Sequence, residues 1–117
     1  MRRYQLKLHA ERLPNVGGLF RTSSPYAEVD IIEGPNKGKL GKTEVSEKNL
    51  SPQWVKIFFI EFDPSIRVVV RVRIWDDRGD GRDPIMIGKE ITFEATSVFT
   101  APGRMQEEHM GGKGRYV

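Results

Sequence analysis

The chain has 117 residues, which is enough for one domain with a single core. It contains no cysteine, which excludes a disulfide framework and a thiolate zinc site, and no apolar run approaches the ~20 residues that would span a bilayer. These absences indicate a cytoplasmic protein. The net charge of +3 is a mild excess, compatible with an anionic surface but too small to require one, so we expect no nucleic-acid partner.

The first half of the chain alternates between short strands and turns. Apolar and polar residues alternate from 3 to 10, which predicts a strand with one wet face. The sequence LPNVGG then indicates a loop, and a second strand is predicted over 27–31. The glycines and proline of EGPNKGKLG are expected to end that strand, and a short third strand is predicted at 42–47.

A fourth strand is predicted over 55–62, after the turn NLSPQW. Its inward face is expected to carry Phe58, Ile60 and Phe62, on the same side as Trp54. The outward face then carries Ile57 and Phe59, and two apolar neighbours on an outward face are either covered by a second layer or form a surface for a partner.

The stretch IRVVVRVRIWDDRGDGRDPIMIG (66–88) is the centre of the predicted fold. Strict alternation over 66–75 predicts a half-buried strand that leads directly into a glycine-containing loop. That loop carries four carboxylates, Asp76, Asp77, Asp80 and Asp83. The sequence therefore predicts a cluster of acidic side chains at one end of a sheet.

The C-terminal part is predicted to add one strand at 86–93 and then an irregular segment over 99–117, with a possible short strand at 115–117. Turn signals recur every 8 to 12 residues or so, and no stretch has sustained helical periodicity. We therefore expect an all-β, antiparallel sandwich, formed by a single domain over 1–117 with its core over 3–98. The strand-like ending suggests a piece of a larger protein, although a natural terminus fits it equally well.

Four motifs in register resemble the C2 domain family, over roughly residues 4 to 98. They are SSPYAEV, GKTEV followed by NLSPQW, FFIEF, and VRVRIWDD followed by IMIG. The resemblance implies an eight-stranded antiparallel C2-like β-sandwich that docks on membranes or proteins.

The resemblance also implies a calcium site in the loops at one end, but its ligand set is incomplete here. Ser24 stands where the family has a first-loop aspartate, and the other expected carboxylate falls on glycine. Asp76 matches a family ligand, whereas Arg78 occupies the next ligand position. A calcium ion requires ~6 to 8 oxygen ligands, so we expect no resident cofactor and weak calcium binding at best, with the four aspartates as the only candidate ligands.

Two other surfaces are candidates for docking. The resemblance places Val16, Leu19, Phe20 and Arg21 in a loop that often inserts apolar side chains into lipid, although packing of this apolar tip on the domain itself is the favoured interpretation. A basic patch is expected from Lys37, Lys39, Lys42 and Lys48, for which a solvated hairpin tip is the more common explanation than a lipid site.

Three arginines, Arg67, Arg71 and Arg73, are expected on one sheet face. Arginines two residues apart on a strand, such as Arg71 and Arg73, lie ~7 Å apart and would suit successive phosphates. However, Glu28, Asp30 and Glu61 are expected across the sheet, so neutralised arginines are the favoured interpretation.

The chain is predicted not to be an enzyme. It has two isolated histidines, His9 and His109, and no nucleophile or phosphate-loop motif. We expect a docking module with weak or no calcium dependence, for an anionic membrane surface or a protein partner. The alternatives are a calcium-dependent phospholipid-binding domain that uses loop 76–83, and a structural or assembly domain that touches no lipid.

Overall fold

The computed structural model of the chain describes residues 2–99, 108–110 and 114–116. These residues form nine strands and one short helix. In chain order the elements are β1 (Arg2–Glu11), β2 (Pro25–Glu33), β3 (Gly38–Lys42), β4 (Gln53–Phe62), β5 (Val69–Asp76), β6 (Ile85–Met86), β7 (Ile91–Glu94), α1 (Ala95–Phe99), β8 (Glu108–Met110) and β9 (Gly114–Tyr116).

The strands form two antiparallel sheets. One sheet has the order β4-β1-β9-β8, and the other has the order β3-β2-β5 with both β6 and β7 along the remaining edge of β5. The predicted all-β antiparallel sandwich is confirmed. The predicted count of eight strands is wrong, because seven strands precede the helix in the described residues and two short ones follow it.

The predicted strand at 86–93 is split into β6 and β7. Gly88 has a φ of 70°, a left-handed conformation that interrupts a ladder, and Ile87 is buried with its N–H donating to the carbonyl of Ile74 (2.7 Å). The two halves therefore pair with opposite ends of β5.

The predicted third strand lies in the wrong place, because β3 precedes the expected range of 42–47. Gly38 and Gly41 have φ values of 142° and 138°, so the glycines that were expected to end the ladder belong to it. The strand β3 bulges between them, because Gly41 and Lys39 pair with the consecutive residues Val29 and Asp30 of β2. The ladder stops where Thr43 Oγ1 accepts the N–H of Ala27 (2.8 Å) in place of a backbone carbonyl.

The segment 99–117 was expected to be irregular, but it contains the two short strands β8 and β9. The strand β9 pairs with β1 at Ala10 and Glu11. This pairing is between residues distant along the chain, so sequence periodicity could not predict it. The predicted strand at 115–117 agrees with β9, except that Val117 lies outside the described residues. Within the described residues, no helix is long and apolar enough to cross a membrane. The assignment of one domain to the whole chain stays a prediction.

The core lies between the two sheets and has the predicted inward faces. It contains Tyr4, Leu6 and Leu8 of β1, Trp54, Phe58, Ile60 and Phe62 of β4, Ala27, Val29 and Ile31 of β2, and Val70, Val72 and Ile74 of β5. The Trp54 indole N–H donates to the carbonyl of Pro25 (3.2 Å), which joins the sheets at one end of the sandwich.

Three loops meet at that end of the sandwich. Asp76, the last residue of β5, is paired in register with Pro25, the first residue of β2, so the segment after β5 lies beside the segment before β2. The N–H of Lys48 donates to Ser24 Oγ (3.0 Å), which brings in the segment between β3 and β4. We call residues 12–24, 43–52 and 76–84 the loop end.

Candidate functional site

Asn15 organises the first loop of the loop end. Its Oδ1 accepts hydrogen bonds from the N–H of Gly17 (3.0 Å) and of Ser23 (2.9 Å), and its Nδ2 donates to the carbonyl of Arg21 (3.1 Å). A Cβ at Gly17 would lie 2.5 Å from that same carbonyl oxygen, so only glycine allows the loop to close this tightly. The loop is therefore pinned at its base, and its tip is the part that projects.

Two large apolar side chains occupy that tip. Leu19 is 94% exposed and Phe20 is 99% exposed, which makes them the most exposed large hydrophobic side chains in the described part of the chain. Val16, which was predicted to belong to the same docking surface, is instead partly buried against the core. The reason is the hydrogen bond from its N–H to Ser23 Oγ (2.9 Å), which holds the base of the loop against the sandwich.

Arg21, which was predicted to belong to the docking loop beside the tip, is bound to the third loop. Its Nη1 lies 2.6 Å from Asp76 Oδ2, and its Nη2 donates to the backbone carbonyl of Asp77. The Arg21 side chain is 29% exposed and the Asp76 side chain is 0% exposed. The guanidinium therefore joins the first and third loops and neutralises the buried carboxylate.

Asp76 has both carboxylate oxygens occupied by protein donors. In addition to Arg21 on Oδ2, the N–H of Ser24 donates to Oδ1 (2.8 Å). Burial by itself would raise the pKa of Asp76, but these hydrogen bonds to Arg21 and Ser24 outweigh burial, so the pKa lies below its ordinary value. The hydrogen bond to Asp76 likewise raises the pKa of Arg21.

The other three predicted metal ligands do not converge on Asp76. Asp77 Oδ1 accepts the N–H of Gly79 (3.1 Å) within its own loop, while Asp80 (φ 50°) and Asp83 are exposed. Positive φ values at three consecutive residues, 79 to 81, turn this part of the loop outward. Among the side chains that the structure describes, no three acidic or histidine groups are arranged to hold a metal ion. The residues present do not fit a calcium ion, because the best-placed carboxylate is already bound to a guanidinium.

The four lysines of the predicted basic patch are spread along the molecule. Lys37 precedes β3 at the end opposite the loops, and Lys48 lies at the loop end. Lys39 approaches Glu28 (3.9 Å), and the Lys42 ammonium lies 5.6 Å from the centre of the Tyr26 ring. Because Lys37 and Lys48 lie at opposite ends of the sandwich, with Lys39 and Lys42 in β3 between them, the four lysines do not form one patch.

Arg67, Arg71 and Arg73, on the sheet that contains β5, are neutralised by ion pairs. Asp30, which is buried, accepts from Arg71 (2.7 Å) and from Arg73 (2.8 Å). Arg67 pairs with glutamates of two other strands. The expected neutralisation is thus confirmed for Asp30 and for Glu28, which lies 2.8 Å from Arg73, whereas Glu61 lies in the other sheet.

The outward face of β4 has exposed apolar residues. Ile57 and Phe59 are exposed as expected, and Val55, which the sequence reading did not single out, is 73% exposed. The Arg3 guanidinium lies 4.2 Å from the centre of the Phe59 ring, so part of this face is covered by a cation.

Comparison with known proteins identifies the family. The profile of the C2 domain family matches residues 6–109. No curated protein matches the chain.

Several solved structures share the fold at low sequence identity. BON1-C2B is 19% identical with a TM-score of 0.71, over 97% of this chain and 85% of that one. Human GIVD cytosolic phospholipase A2 is 16% identical with a TM-score of 0.68, over 97% of this chain but 16% of that one. The calcium-bound pair of C2 domains from Extended-Synaptotagmin 2 is 18% identical with a TM-score of 0.62, over 95% of this chain and 42% of that one. The predicted resemblance is confirmed, and the chain belongs to the C2 domain family.

Proposed function

We propose that this C2 domain is a non-catalytic module that docks peripherally on a membrane through Leu19 and Phe20, without calcium. The observation that carries the proposal is the exposure of these two adjacent side chains, 94% and 99%, at the tip of a loop whose base is pinned. Large apolar groups on a braced tip lose little conformational freedom on insertion into a lipid interface. Such a module would act in the cytoplasm, as part of a larger protein.

Arg21 is the reason for proposing calcium independence. In a calcium-dependent site the loops would be joined by the ion, because carboxylates of different loops share it. Here a guanidinium joins the first loop to Asp76 and to the Asp77 carbonyl. The loop end is therefore neutralised and braced by a side chain of the protein itself.

The apolar tip gives weak, reversible binding by itself. Burial of a large apolar side chain contributes about 1.5–3 kcal/mol, so two side chains contribute about 3–6 kcal/mol. That range corresponds to association constants of roughly 10² to 10⁴ M⁻¹, similar to a single myristoyl chain. Stable residence on a membrane then requires a second attachment elsewhere in the parent protein.

Vesicle sedimentation tests the proposal. The wild-type chain should sediment with phospholipid vesicles equally well with calcium and with chelator, and the double variant L19S/F20S should stay in the supernatant. The matched control is V55S, which removes an exposed apolar side chain from the β4 face and should sediment like the wild type. Sedimentation that requires calcium, or sub-millimolar calcium binding by titration calorimetry, would overturn calcium independence.

The second candidate function is protein assembly through the outward face of β4. Val55, Ile57 and Phe59 are all exposed on one face of a strand that lies at the edge of its sheet. A domain that assembles through this face should remain in the supernatant of every vesicle experiment. V55S should then weaken association with the partner, whereas L19S/F20S should not.

A further inference from the structure

Resting on the proposed membrane function, we infer that the loop end docks on an electrically neutral, zwitterionic phosphatidylcholine surface and gains nothing from anionic lipid. The basis is the distribution of charge around the apolar tip. The chain as a whole has a net charge of +3, which by itself would favour an anionic membrane.

The loop end does not share in that positive excess. It has five cationic side chains, Arg12, Arg21, Lys48, Arg78 and Arg82, and six anionic ones, Glu44, Glu47, Asp76, Asp77, Asp80 and Asp83. Five cations against six anions leave a net charge of −1. Lys39 and Lys42 lie in β3 and Lys37 precedes it at the opposite end, while Lys7 and Lys56 lie in β1 and β4, so these five lysines are outside the loop end.

Three of the four arginines of the loop end also donate from their guanidinium groups to the protein. Arg21 is bound to Asp76, Arg78 Nε donates to the carbonyl of Asp83 (2.6 Å), and Arg82 Nη2 donates to the carbonyl of Arg78 (2.8 Å). Each guanidinium has given donors to the loop that it would otherwise offer to lipid phosphate. A phosphatidylserine surface would therefore meet few free cations and several exposed carboxylates.

The sequence of charges around the tip suits a zwitterion. From 76 to 83 the residues read Asp, Asp, Arg, Gly, Asp, Gly, Arg, Asp, so that both signs alternate along one loop. A choline headgroup carries a phosphate and a quaternary ammonium with no net charge. The remaining arginine donors can face the phosphate and the exposed carboxylates can face the ammonium, while Leu19 and Phe20 provide the apolar contact.

The test compares vesicles of pure phosphatidylcholine with vesicles that contain about 30 mol% phosphatidylserine, in chelator, at about 0.1 M and about 0.5 M salt. We expect the apparent affinity to change by less than about twofold with lipid charge and with salt, whereas three net cations at the surface would give on the order of a 100-fold gain with anionic lipid. Binding that requires phosphatidylserine and falls with salt would overturn the inference and leave the proposed function standing. Binding to neither vesicle, or full binding by L19S/F20S, would overturn the proposed function and the inference together.

A charge variant provides a positive test. E47K/D83K changes two exposed residues without a described side-chain hydrogen bond, and each substitution adds two units, which takes the loop end from −1 to +3. This variant should keep its affinity for phosphatidylcholine and gain on the order of 100-fold on phosphatidylserine vesicles at low salt. An unchanged preference in the variant would show that charge at the loop end does not reach the lipid, and would overturn the inference.

Discussion

Replacing Arg21 with methionine tests the ion pair that joins the first and third loops. Methionine fills much of the volume of the arginine stem but leaves the Asp76 carboxylate, whose side chain is 0% exposed, without its cation. An unpaired buried charge costs about 3–5 kcal/mol. Water can reach this site beside the partly exposed position 21, and the N–H of Ser24 still donates to Asp76. We therefore expect R21M to lower the free energy of unfolding by about 2 kcal/mol.

The destabilisation should depend on pH in a specific direction. In the wild type the Asp76 pKa is held below its ordinary value of 3.8, so the stabilisation by the ion pair is fully present above that pH and is lost as the pH falls through the folded-state pKa. Without the guanidinium, the hydrogen bond and the charge of Arg21 no longer lower the Asp76 pKa, so that pKa lies higher than in the wild type. In the variant, the cost of burying the unpaired Asp76 carboxylate is then full at neutral pH and is relieved when Asp76 is protonated. The difference in unfolding free energy between wild type and variant should therefore shrink as the pH falls toward 3.8.

Urea unfolding measured from neutral to acidic pH provides the data, and R21M/D76N is the matched variant. An asparagine at 76 carries no charge and retains an oxygen for the N–H of Ser24, so the double variant should recover most of the stability that R21M loses. A loss of less than about 0.5 kcal/mol in R21M, or a loss that is independent of pH and not rescued by D76N, would refute the argument that Arg21 neutralises a buried charge.

Three further substitutions test the fold around the site. Asp30→Asn should lower the unfolding free energy by about 2–3 kcal/mol in urea titration, because the charge that its two arginine partners share is lost, whereas the exposed control Glu33→Gln should change it by less than about 0.5 kcal/mol. Gly17→Ala should weaken vesicle sedimentation severalfold, because the new Cβ would lie 2.5 Å from the Arg21 carbonyl oxygen and force the tip to move. Trp54→Phe should cost about 2–3 kcal/mol in the same unfolding experiment, because it removes a buried hydrogen bond and leaves a cavity.

The strands of the sandwich could be predicted because alternation is a local signal. The alternating residues of 3–10 and 55–62 place one side chain in two against the core, and the core contains those residues. The strand predicted over 66–75 is only partly correct, because β5 begins at Val69, Ile66 is exposed, and the three consecutive valines at 68–70 are all buried. The third strand could not be placed in this way. Gly38 and Gly41 resemble turn residues in the sequence, and only the pairing of a bulged β3 with β2 allows them into a ladder.

The site could be predicted less well, because its decisive contact is distant along the chain. Arg21 and Asp76 are separated by 55 residues, and no spacing rule connects them. The four aspartates of loop 76–83 are close in sequence, but one is buried while the others are partly or fully exposed. The exposure of Leu19 and Phe20 did not follow from any local pattern, since packing of the loop on the domain itself was the favoured expectation and only the family resemblance indicated an apolar tip.

An internal cation changes what can control docking. A loop end joined by calcium is complete only when the ion is present, so its membrane affinity follows the ion concentration. The pair of Arg21 and Asp76 is present whenever the domain is folded, so the tip is continuously available. If the tip binds lipid as proposed, with an association constant of only about 10² to 10⁴ M⁻¹, effective concentration controls the binding. A second lipid anchor or a second copy of the domain would multiply it by ~10²–10⁴ without any new contact at the tip. An obligate dimer forced through a fused coiled coil should therefore bind phosphatidylcholine vesicles far more tightly than the single domain, and equal binding by the two forms would show that the tip does not contact lipid.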